Sequence, residues 1–253
     1  MPRYLLLVEY DGGPFRGWQR QANGPSVQER LEQAIFAFSG AQVSACAAGR
    51  TDAGVHALLQ PVHVDLPRDY APETLVGAIN HHLRPDPIAV LEAREVEPSF
   101  HARFSALKRR YLYRILNRRA PPALLRGRVW HVVPPLCAEH MQEAAQRLVG
   151  RHDFTSFRAA ECQARTAVKT LDLLVVERRG EMVEVRAEAR SFLHHQVRNM
   201  VGSLVLIGLG RRPVEWIEEV REARDRRRAG PTAPASGLFF AGARYPGLDL
   251  TRS

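Results

Sequence analysis

The sequence predicts an α+β protein of two similar lobes, each an antiparallel or mixed sheet with helices on one face, flanking a central basic cleft. Three observations lead to this prediction. Strand and helix periodicities alternate along the whole chain, and a comparable set of elements fills each half. A length of 253 residues with 45% apolar and 25% charged residues is enough for two cores. The expected boundary lies near residue 106, which gives lobes 1–106 and 107–253.

The first half is expected to run strand-helix-strand-strand-helix-strand. Asp11-Gly12-Gly13-Pro14 is a turn signal that closes the opening strand. Ser26 with Glu29 forms a capping box at the start of the first helix, and Gly40 is a plausible stop. Pro72 suits the first turn of the second helix. The expected ranges are strands 3–10, 42–47, 59–66 and 88–96, and helices 27–38 and 72–82.

The second half repeats a similar mixture of elements. Arg178-Arg179-Gly180 separates two alternating runs and predicts a hairpin. An apolar run that breaks at Gly210 is long enough for a buried helix, and a charged amphipathic helix follows it. The expected ranges are strands 110–116, 171–177, 182–189 and 238–244, helices 138–149, 192–209 and 213–228, and a proline-bearing surface stretch over 120–135.

The charge balance points to nucleic acid as the first partner to test. Lysines and arginines number 36 against 27 acidic residues, which gives a net charge of +9 and an isoelectric point of about 10.2. Only Lys108 and Lys169 are lysines, and the guanidinium of arginine suits phosphates and stacks on bases. Codon bias in a GC-rich genome also explains a preference for Arg over Lys, but it does not require the surplus of positive charge.

Several classes of protein are disfavoured. The longest apolar runs are far too short to span a bilayer, and Arg3 is followed by only five apolar residues before Glu9, so we expect neither a membrane protein nor a signal peptide. The cysteines Cys46, Cys137 and Cys162 are odd in number, far apart and without a CxxC pair. A disulfide framework is therefore not expected, and a cytoplasmic location fits best.

The sequence predicts no cofactor and no metal. Phosphate-binding, dinucleotide-binding, hydrolase and HExxH signatures are all missing. The adjacent pairs His81-His82 and His194-His195 could be considered as metal ligands. Neighbouring residues point apart on a helix, however, and neither pair has a cysteine or clustered carboxylate at ligand spacing. Ordinary surface or packing roles are favoured for these histidines.

The segment AGRTDAGVHA at 48–57 is the most informative part of the chain. Asp52 lies in a loop between two expected strands, and Gly49 and Gly54 permit unusual backbone angles and a close approach by a ligand. If Arg50 faces the same pocket, it would hold Asp52 ionised. Such a carboxylate could attack a nucleoside or stabilise a cationic sugar. An Asx-turn, in which Asp52 only bonds its own backbone, is the structural alternative.

This segment and several others resemble the tRNA pseudouridine synthase A family, in the family's own order. The other matching segments are EYDG at 9–12, GWQRQ at 17–21, SVQ at 26–28, FHARFSA at 100–106, RRYLY at 109–113, DFTSFR at 153–158, VRNMVG at 197–202 and GLF at 237–239.

The resemblance implies a role for five residues. Asp52 matches the catalytic aspartate, and Tyr111 matches the tyrosine that packs on the target base. Arg50 resembles a residue that helps to hold the flipped nucleotide, Arg198 an arginine near the aspartate, and Leu238 an apolar pocket wall. Because Arg198 lies on an apolar helix, we expect it to be buried and paired with Asp52. The implied activity is isomerisation of uridines 38 to 40 in the anticodon arm of tRNA by a homodimer.

Isomerisation of uridine to pseudouridine has no net redox change or hydrolysis, so ATP, nicotinamide and metal are not needed. The target base must leave its stack, the glycosidic bond must break, and the detached ring must be retained. Whether Asp52 attacks C1′, attacks C6 or removes a sugar proton is left open, as is the preferred uridine. The candidate phosphate contacts are Arg16, Arg20, Arg109, Arg110, Arg118, Arg119, Arg126, Arg128, Arg151, Arg158 and Arg165, while the run 221–228 is expected to be a solvated helix face.

Two other functional classes remain to be separated by experiment. In a non-enzymatic RNA-binding protein, Asp52 would be a turn residue and the arginines would provide all of the function. A metal-dependent nuclease would need several carboxylates close together, but the acid that follows Asp52 is Asp65, beyond an expected strand.

Overall fold

The computed structural model describes residues 1–252, which form two compact units. The first unit comprises Met1–Arg109 and the chain from Phe239 onward, and the second comprises Arg110–Leu238. In chain order the elements are β1 (Arg3–Tyr10), α1 (Val27–Ser39), β2 (Cys46–Ala47), β3 (His56–Asp65), α2 (Pro72–Leu83), β4 (Ile88–Val96), β5 (Lys108–Asn117), β6 (Trp130–Val132), α3 (Ala138–Gln146), β7 (Gly150–Asp153), β8 (Val168–Arg179), β9 (Met182–Ala189), α4 (Gln196–Gly208), α5 (Trp216–Ala223), β10 (Leu238–Tyr245) and β11 (Leu248–Thr251). The predicted α+β class is confirmed.

The sheet of the first unit is mixed, with the order β4-β1-β3-β10. Strand β1 runs antiparallel to β3 and β4, and β10 runs parallel to β3. Because β1 is central, its side chains from Tyr4 to Val8 are buried on both faces, which explains the continuous apolar run. Pairing of Tyr10 with Ala57 places the end of β1 beside the start of β3.

The helix signals of the first half are confirmed. Ser26 caps α1 by accepting a hydrogen bond from the Glu29 amide at 3.3 Å, and Gly40 ends the helix with a φ of 68°. Helix α2 begins at Pro72 and packs on β4 and on α1. Strand β2 is shorter than expected, since only Cys46 and Ala47 pair with β3.

The sheet of the second unit has the order β5-β9-β8-β7, and β6 runs parallel to β5. Strands β8 and β9 form the predicted hairpin, in which Gly180 has a φ of 60°. Helix α3 packs on β8 and on the largely buried α4.

Several predictions for the second half are wrong. Strand β6 occupies part of the expected surface stretch, and β7 follows a shorter α3. Helix α4 begins only at Gln196, because His195 has a φ of 61°, and α5 ends at Ala223, where Arg224 has a φ of 48°. The final strand lies close to its expected range and pairs with β3 at Phe239 and Phe240, and β11 then pairs with β10.

None of the helices within residues 1–252 combines the length and the apolar character that a bilayer crossing requires.

Candidate active site

Asp52 lies in the loop between β2 and β3, which we call the Asp52 loop (residues 50–55). The Val55 amide donates a hydrogen bond to the Asp52 carbonyl at 3.1 Å and closes a tight turn. Gly54 occupies the third position of this turn with a φ of 76°, a conformation that favours glycine. The Asp52 side chain is half-buried and Arg50 is exposed. The pairing of Arg50 with Asp52 stays a prediction.

The segment that follows β1, which we call the clamp segment (residues 11–18), holds this loop by backbone hydrogen bonds. The Trp18 amide donates to the Thr51 carbonyl at 3.1 Å, and the Gly54 amide donates to the Phe15 carbonyl at 3.3 Å. These bonds flank Asp52 on both sides in sequence. The backbone on both sides of Asp52 is therefore held by a segment more than thirty residues earlier in the chain.

Two glycines of the clamp segment allow its backbone to touch the Asp52 loop. A Cβ atom at Gly12 would lie 2.0 Å from the Val55 carbonyl oxygen. A Cβ atom at Gly17 would lie 2.5 Å from the Thr51 carbonyl oxygen, and the φ of Gly17 is 98°. No side chain fits at either position without moving the loop.

A buried hydroxyl pair adds a side-chain contact to the same loop. The Tyr10 Oη and Thr51 Oγ1 atoms are 2.7 Å apart, and both residues are buried. Burial raises the pKa of Tyr10 to about 12, so the phenol keeps its proton and can donate or accept in this pair.

Tyr10→Phe is expected to lower the turnover number several-fold and the free energy of unfolding by about 1 kcal/mol, since the Thr51 hydroxyl loses its buried partner. Tyr245→Phe is the matched control, because the Tyr245 hydroxyl is also buried in the first unit but donates to the Ala102 carbonyl at 2.7 Å. Urea unfolding and steady-state kinetics test the pair. Equal effects of both substitutions on turnover would contradict a specific role for Tyr10.

His56 connects the end of the Asp52 loop to the clamp segment. Its Nδ1 atom accepts a hydrogen bond from the Gly12 amide at 3.0 Å and lies 3.1 Å from Asp11 Oδ1. The imidazole is almost fully buried and stacks on Phe239, with ring centroids 4.8 Å apart. Sequence reasoning assigned no role to His56, and treated Gly12 only as a turn residue.

The other predicted site residues belong to the second unit. Tyr111 on β5 is half-buried and packs edge-to-face on Phe192, with ring centroids 5.1 Å apart. Phe192 was expected to begin the long helix, but it precedes α4 and supports the tyrosine instead. Tyr113, for which a packing role is favoured, is fully buried and donates to the Pro234 carbonyl at 2.8 Å.

Arg198 and Leu238 are joined through the chain between them. Arg198 lies in the first turn of α4 and donates from Nε to the Ala233 carbonyl at 2.8 Å. Leu238 is buried and begins β10, five residues after Ala233. Arg198 is half-buried, which is less burial than expected. Its pairing with Asp52 stays a prediction.

The first unit contains a cluster of Cys46, His63 and His101, whose possible ligand atoms lie within 4.8 Å of one another. Its chemistry does not fit a metal. The Nδ1 atoms of His63 and His101 already accept backbone N–H groups, and a metal needs such lone pairs. Burial raises the pKa of the Cys46 thiol and is the main cause that lowers the pKa of His63 to about 4. We therefore interpret the three side chains as uncharged packing residues.

Seven of the eleven predicted phosphate-contacting arginines illustrate two kinds of environment. Arg20 forms an ion pair with Glu32 and Arg110 with Glu188, both at 2.7 Å, and Arg109 donates to the carbonyls of the first unit. Arg119, Arg126, Arg151 and Arg165 are exposed. The second group is better placed to meet an RNA backbone.

A net charge of +9 suits a nucleic-acid partner, and an aspartate held in a loop between strands is a candidate catalytic group. A family model described as tRNA pseudouridine synthase matches residues 6–105 and 144–246. Proteins named tRNA pseudouridine synthase A from Rhodospirillum centenum and Paramagnetospirillum magneticum are 60% and 58% identical over 245 residues, which are 97% of this chain and 100% and 96% of the relatives. A third, from Methylobacterium nodulans, is 58% identical over 251 residues, 99% of each chain. The chain belongs to the tRNA pseudouridine synthase family.

Proposed function

We propose that this protein converts uridine to pseudouridine at positions 38 to 40 in the anticodon arm of tRNA, with Asp52 as the catalytic carboxylate. The observation that carries the proposal is the fixed Asp52 loop in a chain of this family. Backbone contacts hold the carboxylate in place before substrate arrives. A preformed arrangement of this kind lowers the cost of reaching the transition state.

The reaction begins when the target uridine leaves its stack, at a cost of a few kcal/mol. In the proposal Tyr111 packs on the base, and Arg50 occupies the space in the stack, because an aromatic face and a guanidinium both replace stacking. The edge-to-face contact with Phe192 holds the Tyr111 ring in one orientation. Exposure of Arg50 leaves it able to reach an RNA arm.

The chemical step breaks the bond between C1′ and N1 and joins C1′ to C5. The proton on C5 leaves and N1 gains a proton, so the atoms of substrate and product are the same. Asp52 assists by attack on C1′, by attack on C6, or by removal of a sugar proton. In the proposal, the family resemblance gives Arg198 a supporting role for the carboxylate, and Leu238 forms an apolar wall that keeps the free ring from water.

The proposal includes no cofactor and no metal, since an isomerisation of this type needs neither an electron carrier nor a Lewis acid. It also includes a homodimer that holds one tRNA across both subunits, and a cytoplasmic location with no membrane partner. The family resemblance supports the dimer, and the net positive charge supports the binding of tRNA.

Release of tritium from tRNA labelled at uracil C5 tests the activity. The purified protein should release tritium without added nucleotide and in the presence of EDTA. Loss of release in EDTA would instead favour a metal-dependent reaction. Tight RNA binding with no release in any condition would favour the alternative of a non-enzymatic RNA-binding protein.

Affinity for tRNA is expected to fall steeply with salt, by about 10³-fold between 50 and 200 mM if about six phosphates are neutralised. Arg119→Ala with Arg126→Ala removes two exposed arginines and should reduce the slope of log Kd against log salt by about 2. Fluorescence anisotropy measures the slope.

A charge-matched control for this slope is Arg147→Ala with Arg186→Ala. Both of these arginines are engaged by carboxylates, Arg147 by Glu218 at 2.6 Å and Arg186 by Glu177 at 3.0 Å. The control pair should leave the slope nearly unchanged. A flat salt dependence of the wild type would contradict the role of the phosphate contacts.

A further inference from the structure

Arg226 is a partly buried arginine that the proposed mechanism does not use. It lies in a 3-10 helix (Arg226–Arg228) after α5, in the run that the sequence predicts to be a solvated helix face. Its guanidinium instead donates to three uncharged oxygens: the Gly230 carbonyl at 2.9 Å, Asn199 Oδ1 at 3.0 Å and Thr232 Oγ1 at 2.9 Å. Within residues 1–252 no carboxylate forms an ion pair with it.

The two neighbouring arginines differ from Arg226. Arg227 is exposed and is held by the carboxylate of Asp225, and Arg228 is exposed. Burial lowers the pKa of Arg226. A charge taken out of water without a counter-ion costs free energy, and hydrogen bonds to the guanidinium offset part of that cost.

The hydrogen bonds of Arg226 fix the segment of residues 230–238 to α4. Asn199 Oδ1 also accepts from the Thr232 hydroxyl at 2.7 Å, so Arg226, Asn199 and Thr232 form a closed ring of bonds. Further along the helix the Gly230 amide donates to Ser203 Oγ at 3.0 Å. Arg226 thus links α4, through Asn199, to Gly230 and Thr232.

The same segment touches α4 directly at Arg198. The Ala233 amide donates to the Arg198 carbonyl at 3.1 Å, and the Ala233 carbonyl accepts from Arg198 Nε at 2.8 Å. A Cβ atom at Gly202, one turn further on, would lie 1.7 Å from the Pro231 carbonyl oxygen. The orientation of the Arg198 side chain therefore depends on where the segment lies.

The remaining residues of the segment, up to Leu238, pack closely against Tyr113. The Pro234 carbonyl accepts from the Tyr113 hydroxyl at 2.8 Å, and a Cβ atom at Gly237 would lie 2.6 Å from the Tyr113 ring. Leu238 then begins β10. A displacement of Thr232 would move Ala233, which is hydrogen-bonded to Arg198. It would also move Leu238, because the residues between Ala233 and Leu238 are few and closely packed.

We propose that Arg226 is a positioning residue for the uridine pocket: by fastening residues 230–238 to α4, it sets the Arg198 guanidinium and the Leu238 side chain in their working places. This inference rests on the proposed function, in which both residues border the reacting uridine. Arg226 itself contacts neither the base nor the sugar.

The test compares Arg226→Met with Arg228→Met, which removes an exposed arginine from the same 3-10 helix. Arg226→Met is expected to lower kcat by about 10²-fold, as expected for a displacement of about 1 Å, while the Kd for tRNA changes less than about 2-fold. Arg228→Met should keep the wild-type kcat. Arg226→Lys should give an intermediate kcat, because one ammonium cannot meet three oxygens in the geometry of a planar fork.

Hydrogen exchange supplies a readout that does not depend on activity. In Arg226→Met the amides of Gly230 and Ala233 should exchange faster, while those of the β8–β9 hairpin keep their protection. Thr232→Val removes one hydroxyl from the ring and serves as a milder variant if Arg226→Met folds poorly. It should show the same pattern with a smaller loss of kcat.

Each outcome is decisive. A wild-type kcat in Arg226→Met, or a loss that only follows the unfolded fraction and also occurs equally in Arg228→Met, would overturn the inference. Unchanged exchange at Gly230 and Ala233 would do so as well. If the wild-type protein makes no pseudouridine, the proposed function fails, and the exchange data still decide whether Arg226 fastens the segment.

Discussion

Asp52→Asn is expected to lower the single-turnover rate of pseudouridine formation by about 10³-fold or more, while the Kd for tRNA stays within about 2-fold. The amide occupies nearly the same volume as the carboxylate, so the turn from Asp52 to Val55 should persist. What the variant loses is the negative charge that attacks carbon, removes a proton or stabilises a cationic sugar. Rapid-quench kinetics with saturating enzyme measure the rate.

Asp69→Asn is the charge-matched control for this experiment, because Asp69 is an exposed acid of the same unit. It should keep the wild-type rate. A rate for Asp52→Asn within about tenfold of the wild type would mean that the carboxylate does not take part in the chemical step.

Gly12→Ala is expected to have a large effect for the addition of a single methyl group. The new Cβ would lie 2.0 Å from the Val55 carbonyl oxygen and 3.0 Å from the Val55 amide nitrogen, both backbone atoms that side-chain rotation cannot move. The clamp segment and the Asp52 loop would have to separate. We expect a loss of about 2–4 kcal/mol in the free energy of unfolding and a drop of about 10²-fold in kcat.

Gly13→Ala is the matched control for the glycine experiment. At Gly13 the nearest atom to a new Cβ is Asp11 Oδ1 at 3.1 Å, a side-chain atom and not a backbone atom. The free energy of unfolding should change by less than about 0.5 kcal/mol. Urea unfolding and kinetics measure both variants, and equal results for Gly12 and Gly13 would contradict the close approach on which the site depends.

The elements that the sequence predicts well are those with complete local signals. The capping box at Ser26, the glycine stop at Gly40 and the proline at the start of α2 all act within one turn of the chain. The hairpin at Gly180 likewise needs only the turn and two alternating strands. Such signals do not depend on distant parts of the protein, so they can be interpreted before any fold is known.

The errors concern short elements and long-range pairing. Strands β6 and β7 have three and four residues, which is too few for a periodic pattern to identify them. They form by pairing with β5 and β8. Strand β10 follows the second half in sequence, yet its residues Phe239 and Phe240 pair in parallel with β3 of the first half. Pairing of this kind is decided by the assembled sheet and not by the strand itself.

The candidate site shows the same division. The motif around Asp52 singled out the loop, and Gly54 has the left-handed conformation that its type suggests. The clamp segment could not be predicted, because its hydrogen bonds join residues far apart in the sequence. The sequence indicates the clamp segment only by Gly12 and Gly17. Glycines are typical of positions where another backbone comes close, but they do not show which part of the chain it is. The sequence likewise does not distinguish Arg226 from the exposed Arg227 and Arg228, because the three arginines are consecutive.

Mapping of pseudouridine at single-nucleotide resolution tests the central claim most directly. Unmodified tRNA is incubated with the wild-type protein, with Asp52→Asn or with Asp69→Asn, in buffer that contains EDTA. We expect pseudouridine at uridines 38 to 40 with the wild type and with Asp69→Asn, and none above background with Asp52→Asn. Modification at those uridines by Asp52→Asn, or none by the wild type, would contradict the claim that this carboxylate isomerises uridines of the anticodon arm.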